Sequence, residues 1–129
     1  MKIRVERGSD TRTKYEYGCD LRRLYPWQGV ASPVWGAAIA SVRPGEATTP
    51  HAHDEAETFL VLKGSGRLRI GDEEELLTEQ DLAFIPRNSV HEFRNASSEE
   101  PLVFLSIFWD SPEARDRMKQ LVATGAEDV

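Results

Sequence analysis

The chain from Val34 to Trp109 is a succession of short apolar runs separated by Gly, Pro and Asn residues, and this succession restricts the fold more than any other feature. Runs of this length that are rich in β-branched and aromatic residues are typical of strands, and bulk on both faces is typical of sandwich strands. The strands predicted in this region are residues 34–42, 58–62, 67–70, 75–78, 81–86, 91–95 and 102–109.

The two ends of the chain add less regular elements. Residues 3–5 and 13–17 are short strand candidates, whereas residues 24–27 (LYPW) are predicted as a loop or an edge strand because Pro26 has no N–H for a ladder. Ser111 is expected to cap a helix that begins at Pro112 and extends to Val122, and residues 123–129 are expected to fray. Many short strands and one terminal helix predict an all-β, nearly closed antiparallel sandwich rather than a helical bundle or a Rossmann fold.

Length and charge limit the organisation and the partners. A chain of 129 residues fits one domain over residues 1–129, with a core at about 34–109 and an N-terminal extension over 1–33. Its net charge of -6 argues against a sequence-independent grip on nucleic acid. The first 30 residues are locally basic, which indicates a solvated face, with an anion site as the less favoured alternative; their arginines include Arg4, Arg7, Arg12, Arg22 and Arg23.

Cysteine usage and hydropathy indicate the cellular compartment in which the protein is expected. Cys19 is the only cysteine, so an intramolecular disulfide is impossible and a structural role is expected for this thiol. The sequence shows no charged-then-apolar leader and no apolar run near the length of a membrane span. A soluble cytoplasmic protein without a membrane partner is therefore expected.

All three histidines lie in one pattern that predicts a metal site. His51, His53 and Glu57 are odd-numbered, so on a single extended segment their side chains would point to the same face. His91 is the fourth donor and comes from elsewhere in the chain. Imidazole nitrogens and a carboxylate oxygen suit one borderline divalent ion, and zinc, iron, manganese and nickel all stay open. Because all the histidines are used as ligands, none is left to activate a serine or threonine nucleophile such as Ser106.

The motifs resemble those of the cupins, which are small jelly-roll barrels (double-stranded β-helices), and the resemblance covers about residues 34–109. The first cupin motif is met in full by Gly45, His51, His53, Glu57 and Gly64. The second is looser, because Pro86, His91 and Asn95 match while Gln80 and Asn88 stand where the family usually has glycine. The resemblance implies that the metal ligands are His51, His53, Glu57 and His91.

The function that follows is a mononuclear metal-dependent enzyme of the oxygenase, isomerase or Lewis-acid type, acting on a small anionic or chelating molecule. A non-enzymatic binding or regulatory module is the alternative, since cupins also serve as such modules. A narrower resemblance links residues 20–27, 41–64 and 101–113 to the cupin part of bacterial hydrazine synthetases. That resemblance implies a zinc-dependent N–N bond-forming rearrangement with a synthetase-like partner protein.

Six aromatic residues are candidates for contact with the ligand. Four are predicted to line the barrel and two to cover its mouth; they are Trp35, Phe59, Phe93 and Phe104, and Tyr25 and Trp27. A homodimer is also expected, in which the basic N-terminal segment would add a strand to the sheet of a neighbouring copy.

Overall fold

The structure, a computed structural model, describes residues 2–9 and 12–124. This part of the chain forms nine strands and one helix. They are β1 (Lys14–Glu16), β2 (Cys19–Tyr25), β3 (Trp35–Val42), β4 (Ala56–Lys63), β5 (Gly66–Ile70), β6 (Glu73–Leu77), β7 (Leu82–Ile85), β8 (His91–Asn95), β9 (Leu102–Trp109) and α1 (Pro112–Thr124). Within these described residues no helix is long and apolar enough to cross a membrane.

Two antiparallel sheets face each other as a jelly roll, which confirms the predicted all-β fold with its C-terminal helix. The larger sheet has six strands in the order β1-β2-β3-β9-β4-β7, and the smaller has three in the order β6-β5-β8. An irregular segment widens the smaller sheet, because Ala47 forms an isolated bridge with Arg94 and His51 forms one with His91. Thr48 fastens this segment to β8: its N–H donates to the Phe93 carbonyl (2.9 Å) and its hydroxyl accepts from the Phe93 N–H (2.8 Å).

The core lies between the two sheets and is built around three phenylalanines. The Phe59 and Phe93 rings stack with centroids 5.6 Å apart, and Phe104 contacts both rings at 4.5 and 5.0 Å. These rings come from β4, β8 and β9, so they join the two sheets. Because β9 lies between β3 and β4, its backbone is paired on both sides, which explains the long apolar run over these residues.

Most of the predicted strands are confirmed, but the N-terminal predictions are partly wrong. Residues 3–5 form no strand, and the side chains of Ile3 and Val5 are largely exposed. The largest omission is β2, which pairs with both β1 and β3 and includes Tyr25, a residue predicted to lie in a loop or edge. The strand ends where Pro26 offers no N–H, as the sequence suggested.

The helix begins as predicted and ends later. The Ser111 hydroxyl accepts a hydrogen bond from the Ala114 N–H at 3.1 Å, which is the geometry of an N-cap. Helix α1 continues through Thr124, so the expectation that fraying begins at Ala123 is wrong for these two residues. Residues 125–129 of the predicted tail lie outside the described part of the chain.

The two departures from the second cupin motif preserve the backbone conformation that glycine would supply. Gln80 has φ 71° and Asn88 has φ 61°, both in the left-handed region. The Gln80 N–H donates to the Val61 carbonyl at 2.8 Å, which holds this residue against β4. The hairpin geometry therefore survives without the two glycines.

Candidate metal centre

The candidate ligands come from three places in the fold. His51 lies in the bridge opposite His91, which is the first residue of β8, and Glu57 is the second residue of β4. His53 lies between them, in a segment that belongs to no strand. The argument that placed His51, His53 and Glu57 on one face of one extended segment is therefore wrong. The chain turns after His53, and this turn brings the four side chains together.

The His51 and His91 rings are oriented by the backbone. The main-chain groups of these two residues exchange hydrogen bonds of 3.3 and 3.0 Å across the bridge. Each ring then places Nδ1 near the carbonyl oxygen two residues before it, at 2.7 Å from Thr49 for His51 and at 2.9 Å from Ser89 for His91. With Nδ1 as the donor, each ring keeps the Nε2 lone pair for a ligand, which is the usual arrangement of metal-binding histidines.

The loop that carries His53 is fixed by two contacts from the turn before β8. The Asn88 N–H donates to the His53 carbonyl at 2.9 Å. The Arg87 guanidinium donates to the Asp54 carbonyl at 3.0 Å and to the Asp110 carboxylate at 2.6 Å, which ties the loop to the end of β9. The His53 ring places Nε2 at 2.9 Å from Glu57 Oε1, while its Nδ1 is buried without a hydrogen-bond partner.

The two oxygens of the buried Glu57 carboxylate have different surroundings. Oε2 accepts a hydrogen bond from the Ser106 hydroxyl on β9. Oε1 faces the histidines, at 2.9 Å from His53 Nε2 and 3.4 Å from His91 Nε2. The serine therefore fixes the orientation of the carboxylate and leaves one oxygen free to act as a ligand.

Two pKa shifts describe the electrostatics of these groups. Burial works to raise the pKa of Glu57, but the interactions with His91 and Ser106 outweigh burial and lower it. Burial works to lower the pKa of His91, but contact with Glu57 outweighs burial and raises it. Both shifts favour the charged forms, so the site attracts positive charge to the carboxylate.

The residues present fit a divalent metal ion. The ligand atoms of His51, His53 and His91 lie within 4.8 Å of one another, so these three histidines form a group that can hold one ion. The Nε2 atom of His91 is buried and makes no hydrogen bond, an arrangement that costs free energy unless a further partner binds there. Three imidazole nitrogens with one carboxylate oxygen match the donors that borderline divalent ions take.

A cavity of about 500 Å³ opens beside this group, and His51, His53 and Glu57 form part of its wall. Its other walls are mostly apolar, with two alanines of β3 lying beside the aromatic residues of β9 and β4 in the same sheet. The lining residues outside the candidate ligands are Tyr17, Cys19, Leu21, Arg23, Ala38, Ala40, Thr48, Ala52, Glu55, Phe59, Phe104, Ser106 and Phe108. A volume of this size suits a small molecule.

The six aromatic candidates are distributed over four places. Phe59 and Phe104 line the cavity, and Phe93 is fully buried behind Phe59. Tyr25 and Trp35 contact each other at 4.9 Å and line a separate cleft beside α1. Trp27 lies under the Arg4 guanidinium, 5.6 Å from it. The structure thus brings two of the six candidates to the cavity, because the side chains of Tyr25 and Trp35 leave their strands on the helix side.

The sequence did not place three residues at the site that the structure brings there. Ser106 was considered only as a nucleophile, although a single polar residue within the apolar run LVFLSIFW is a signal for a buried polar contact. Tyr17 and Arg23 line the cavity from β2 and the turn before it. They were overlooked because this strand carries charged residues that obscure its period of two.

Comparisons with known proteins identify the family of this chain. The sequence model of the family described as "Cupin domain" matches residues 38–108, which is more than half of the chain. An uncharacterized protein from Aquifex aeolicus is 45% identical over 71 residues, covering 54% of this chain and 57% of that protein. A protein named 5-nitrosalicylic acid 1,2-dioxygenase from Bradyrhizobium is 22% identical over 92 residues, covering 63% of this chain and 44% of that protein.

A third relative, named polyketide synthase CurC, from Streptomyces cyaneus, is 32% identical over 103 residues, with 78% of this chain and 66% of that protein covered. The chain thus spans between 44% and 66% of the length of these relatives. Among solved structures, the plu4264 protein from Photorhabdus luminescens superimposes with a TM-score of 0.79 at 35% identity, covering 94% of this chain and 98% of that one. A Cupin 2 conserved barrel domain protein from Salinispora arenicola has a TM-score of 0.76 at 23% identity, with 93% and 97% covered. On its sequence, its fold and its histidine cluster, the chain belongs to the cupin family.

Proposed function

We propose that this protein holds one divalent metal ion with His51, His53, His91 and Glu57 and acts on a small anionic or chelating molecule in the adjoining cavity. One observation carries the proposal. The buried Nε2 of His91 lacks a hydrogen-bond partner and, like His53 Nε2, faces Glu57 Oε1 beside a cavity of about 500 Å³. Ligand atoms and room for a substrate therefore occur together.

A bound divalent ion would supply Lewis acidity here, because one carboxylate leaves it with net positive charge. The chain's own residues prepare the site for it. The carbonyls of Thr49 and Ser89 orient two imidazoles, and Ser106 orients the carboxylate of Glu57. Phe59 and Phe104 give the adjoining cavity an apolar wall. Zinc, iron, manganese and nickel all match this donor set.

An enzyme is favoured over a binding module by the state of the cavity. In a module without open coordination positions, side chains would fill the space next to the ligands, whereas here small alanines, Ala38 and Ala40, leave it open. The relative named as a dioxygenase makes oxygen-dependent chemistry the first reaction class to test. The N–N bond-forming reaction needs a synthetase-like partner that supplies an activated ester, and it stays a prediction.

The test begins with the metal. Protein purified without added metal should contain close to one equivalent of a divalent ion by elemental mass spectrometry, and His53→Ala and His91→Ala should lose most of it. Glu74→Ala, on the exposed strand β6, is the matched control and should keep it. A His53→Ala protein with full metal content would overturn the ligand assignment.

The second stage concerns the reaction. Small anionic chelators are screened for binding, oxygen uptake and product formation, with aerobic and anaerobic spectra of the metal recorded in parallel. Activity should disappear on chelation and return with the correct ion. Undiminished activity in verified metal-free protein would refute the mechanism, and the absence of any spectral change with every chelator would favour the binding module.

A further inference from the structure

We propose that the β1–β2 hairpin selects the ligand and that Arg23 binds a second anionic group on it. The preferred ligand is then a dianion with an apolar body, held at one end by the metal centre and at the other by Arg23. This inference rests on the proposed function and adds the substrate class.

The first step is the position of β2 in the cavity wall. Cys19, Leu21 and Arg23 alternate along this strand, and all three line the cavity. Arg22, between them, turns the other way and pairs with Glu6 at 3.3 Å. The four candidate metal ligands lie within residues 38–108, which the family model matches, whereas β2 lies outside this range. The part of the cavity wall that β2 supplies therefore comes from outside the matched cupin region.

The second step is charge. Among the cavity-lining residues of the described part, Arg23 is the one arginine, and none is a lysine. A guanidinium suits a carboxylate or phosphate through paired hydrogen bonds. The wall also carries the carboxylates of Glu55 and Glu57, so Arg23 is the place in the wall where a second anionic group on the ligand would find a positive side chain.

The present partner of Arg23 can be exchanged. Arg23 pairs with Glu16 on β1, but about half of the Arg23 side chain is exposed, so water already weakens this pair. Glu16 also has Lys14 at 3.8 Å. An anionic ligand can thus take Arg23 without leaving the glutamate unpaired, and Glu16 acts as a competitor for the ligand.

The third step is the turn that leads into β2. Tyr17 and Gly18 have φ 56° and 78°, as in the two-residue hairpin turns that favour Asn-Gly. A bulky residue in this conformation is unusual, because its Cβ crowds the backbone there. The strained position places the Tyr17 ring on His51, with centroids 5.6 Å apart and planes at 29°, in the cavity wall. Strain retained at such a place indicates a role in contact with the ligand.

Apolar residues dominate the wall between these polar groups. Leu21, Ala38, Ala40 and Phe104 offer no charge to a ligand, so its middle must be apolar. Of the remaining lining residues Thr48 and Glu55 are polar, and Glu55 lies beside the metal centre, with Oε1 3.6 Å from His53 Nδ1. A metal centre, an apolar wall and Arg23 together would favour the proposed dianion over a simple chelator, because a simple chelator would be bound by the metal ion alone.

The experiment compares matched carboxylates on metal-loaded protein by isothermal titration calorimetry. The probes are butyrate with succinate, hexanoate with adipate, and octanoate with suberate, so each pair differs by one carboxylate. At least one dicarboxylate should bind about 10-fold or more tightly than its partner, which is the worth of a hydrogen-bonded ion pair. Arg23→Gln should remove that advantage, Glu16→Gln should increase it, and Arg22→Gln should leave it unchanged.

Metal content is measured on every sample before and after titration, which separates the two proposals. If the parent protein does not bind metal, the proposed function is wrong. If metal is present but no dicarboxylate is preferred, or if no probe binds, the inference about Arg23 is wrong. It is also wrong if Arg23→Gln, with full metal, keeps the parent's preference for the dicarboxylate.

Discussion

The hydrogen bond from Ser106 to Glu57 allows a quantitative prediction for Ser106→Ala. The substitution removes the donor to Oε2 of a buried carboxylate and leaves that oxygen without a partner. A hydrogen bond to a charged group contributes about 1.5–3 kcal/mol, and such outer contacts to metal ligands typically change metal affinity by about 10- to 100-fold. The two estimates agree, because 1.36 kcal/mol corresponds to about one factor of ten.

The assay is competition for the metal against a chromophoric chelator at fixed pH. Ser106→Ala should bind the ion about 10- to 100-fold more weakly than the parent protein, with unchanged stoichiometry. Ser41→Ala is the matched control, since Ser41 lies on β3 of the same sheet at a position alternating with the buried Ala40 and Val42. An affinity for Ser106→Ala within about threefold of the parent value would refute the role of the serine in positioning Glu57.

Three further predictions concern pH, the thiol and the motif glycines. In metal-free protein the raised pKa of His91 contributes stability that is complete at pH values below the ordinary pKa of histidine and is lost as pH rises. The lowered pKa of Glu57 contributes stability in the opposite sense, because that contribution is lost as pH falls. Thermal-shift measurements should therefore show that metal-free protein loses stability from mildly acidic to alkaline pH. Over the same range the gain in stability from added metal should increase, because protons compete with the ion for the histidines. A rise with pH in both the metal-free stability and the gain from metal would contradict this. Burial raises the pKa of the Cys19 thiol to about 11. A disulfide reagent at mildly alkaline pH should therefore modify this thiol in the native protein at least about 100-fold more slowly than a free thiol. Equal rates would show the raised pKa to be wrong. Gly64→Ala should lower the free energy of unfolding in urea by more than Gly45→Ala, for which about 1–2 kcal/mol is expected. Both glycines have positive φ, but only at Gly64 would a Cβ meet a backbone atom, the Pro101 oxygen at 2.6 Å; equal losses would contradict this reasoning.

The sequence predicted the elements whose pattern follows one physical rule. β8 and β9 have the predicted bounds, because their apolar content and the flanking turn residues agree. β2 was not predicted as a strand since Arg23, a charged residue, occupies an inward position and breaks the alternation of apolar and polar residues. The position of that arginine depends on the cavity, and a cavity is a property of several strands that no single segment encodes.

The candidate ligands were chosen from spacing, but the reason given for their proximity was incorrect. A period of two requires an extended chain, whereas residues 52–55 belong to no strand. Hydrogen bonds from distant residues bring His53 to Glu57, among them the one from the Asn88 N–H. Likewise, whether Tyr25 and Trp35 face the cavity or α1 depends on how the terminal helix packs, which local periodicity does not describe.

The backbone contacts of His51 and His91 have a consequence for how this protein can change during evolution. Both rings are held by carbonyl oxygens, of Thr49 and Ser89, and every residue type carries a carbonyl. Substitution at those two positions can therefore leave the imidazole orientation intact as long as the turns keep their shape. The candidate metal ligands can therefore be retained while the residues next to them change. Each replacement among the other cavity-lining residues alters which molecules fit. Selection can then diversify the ligand without rebuilding the histidine cluster.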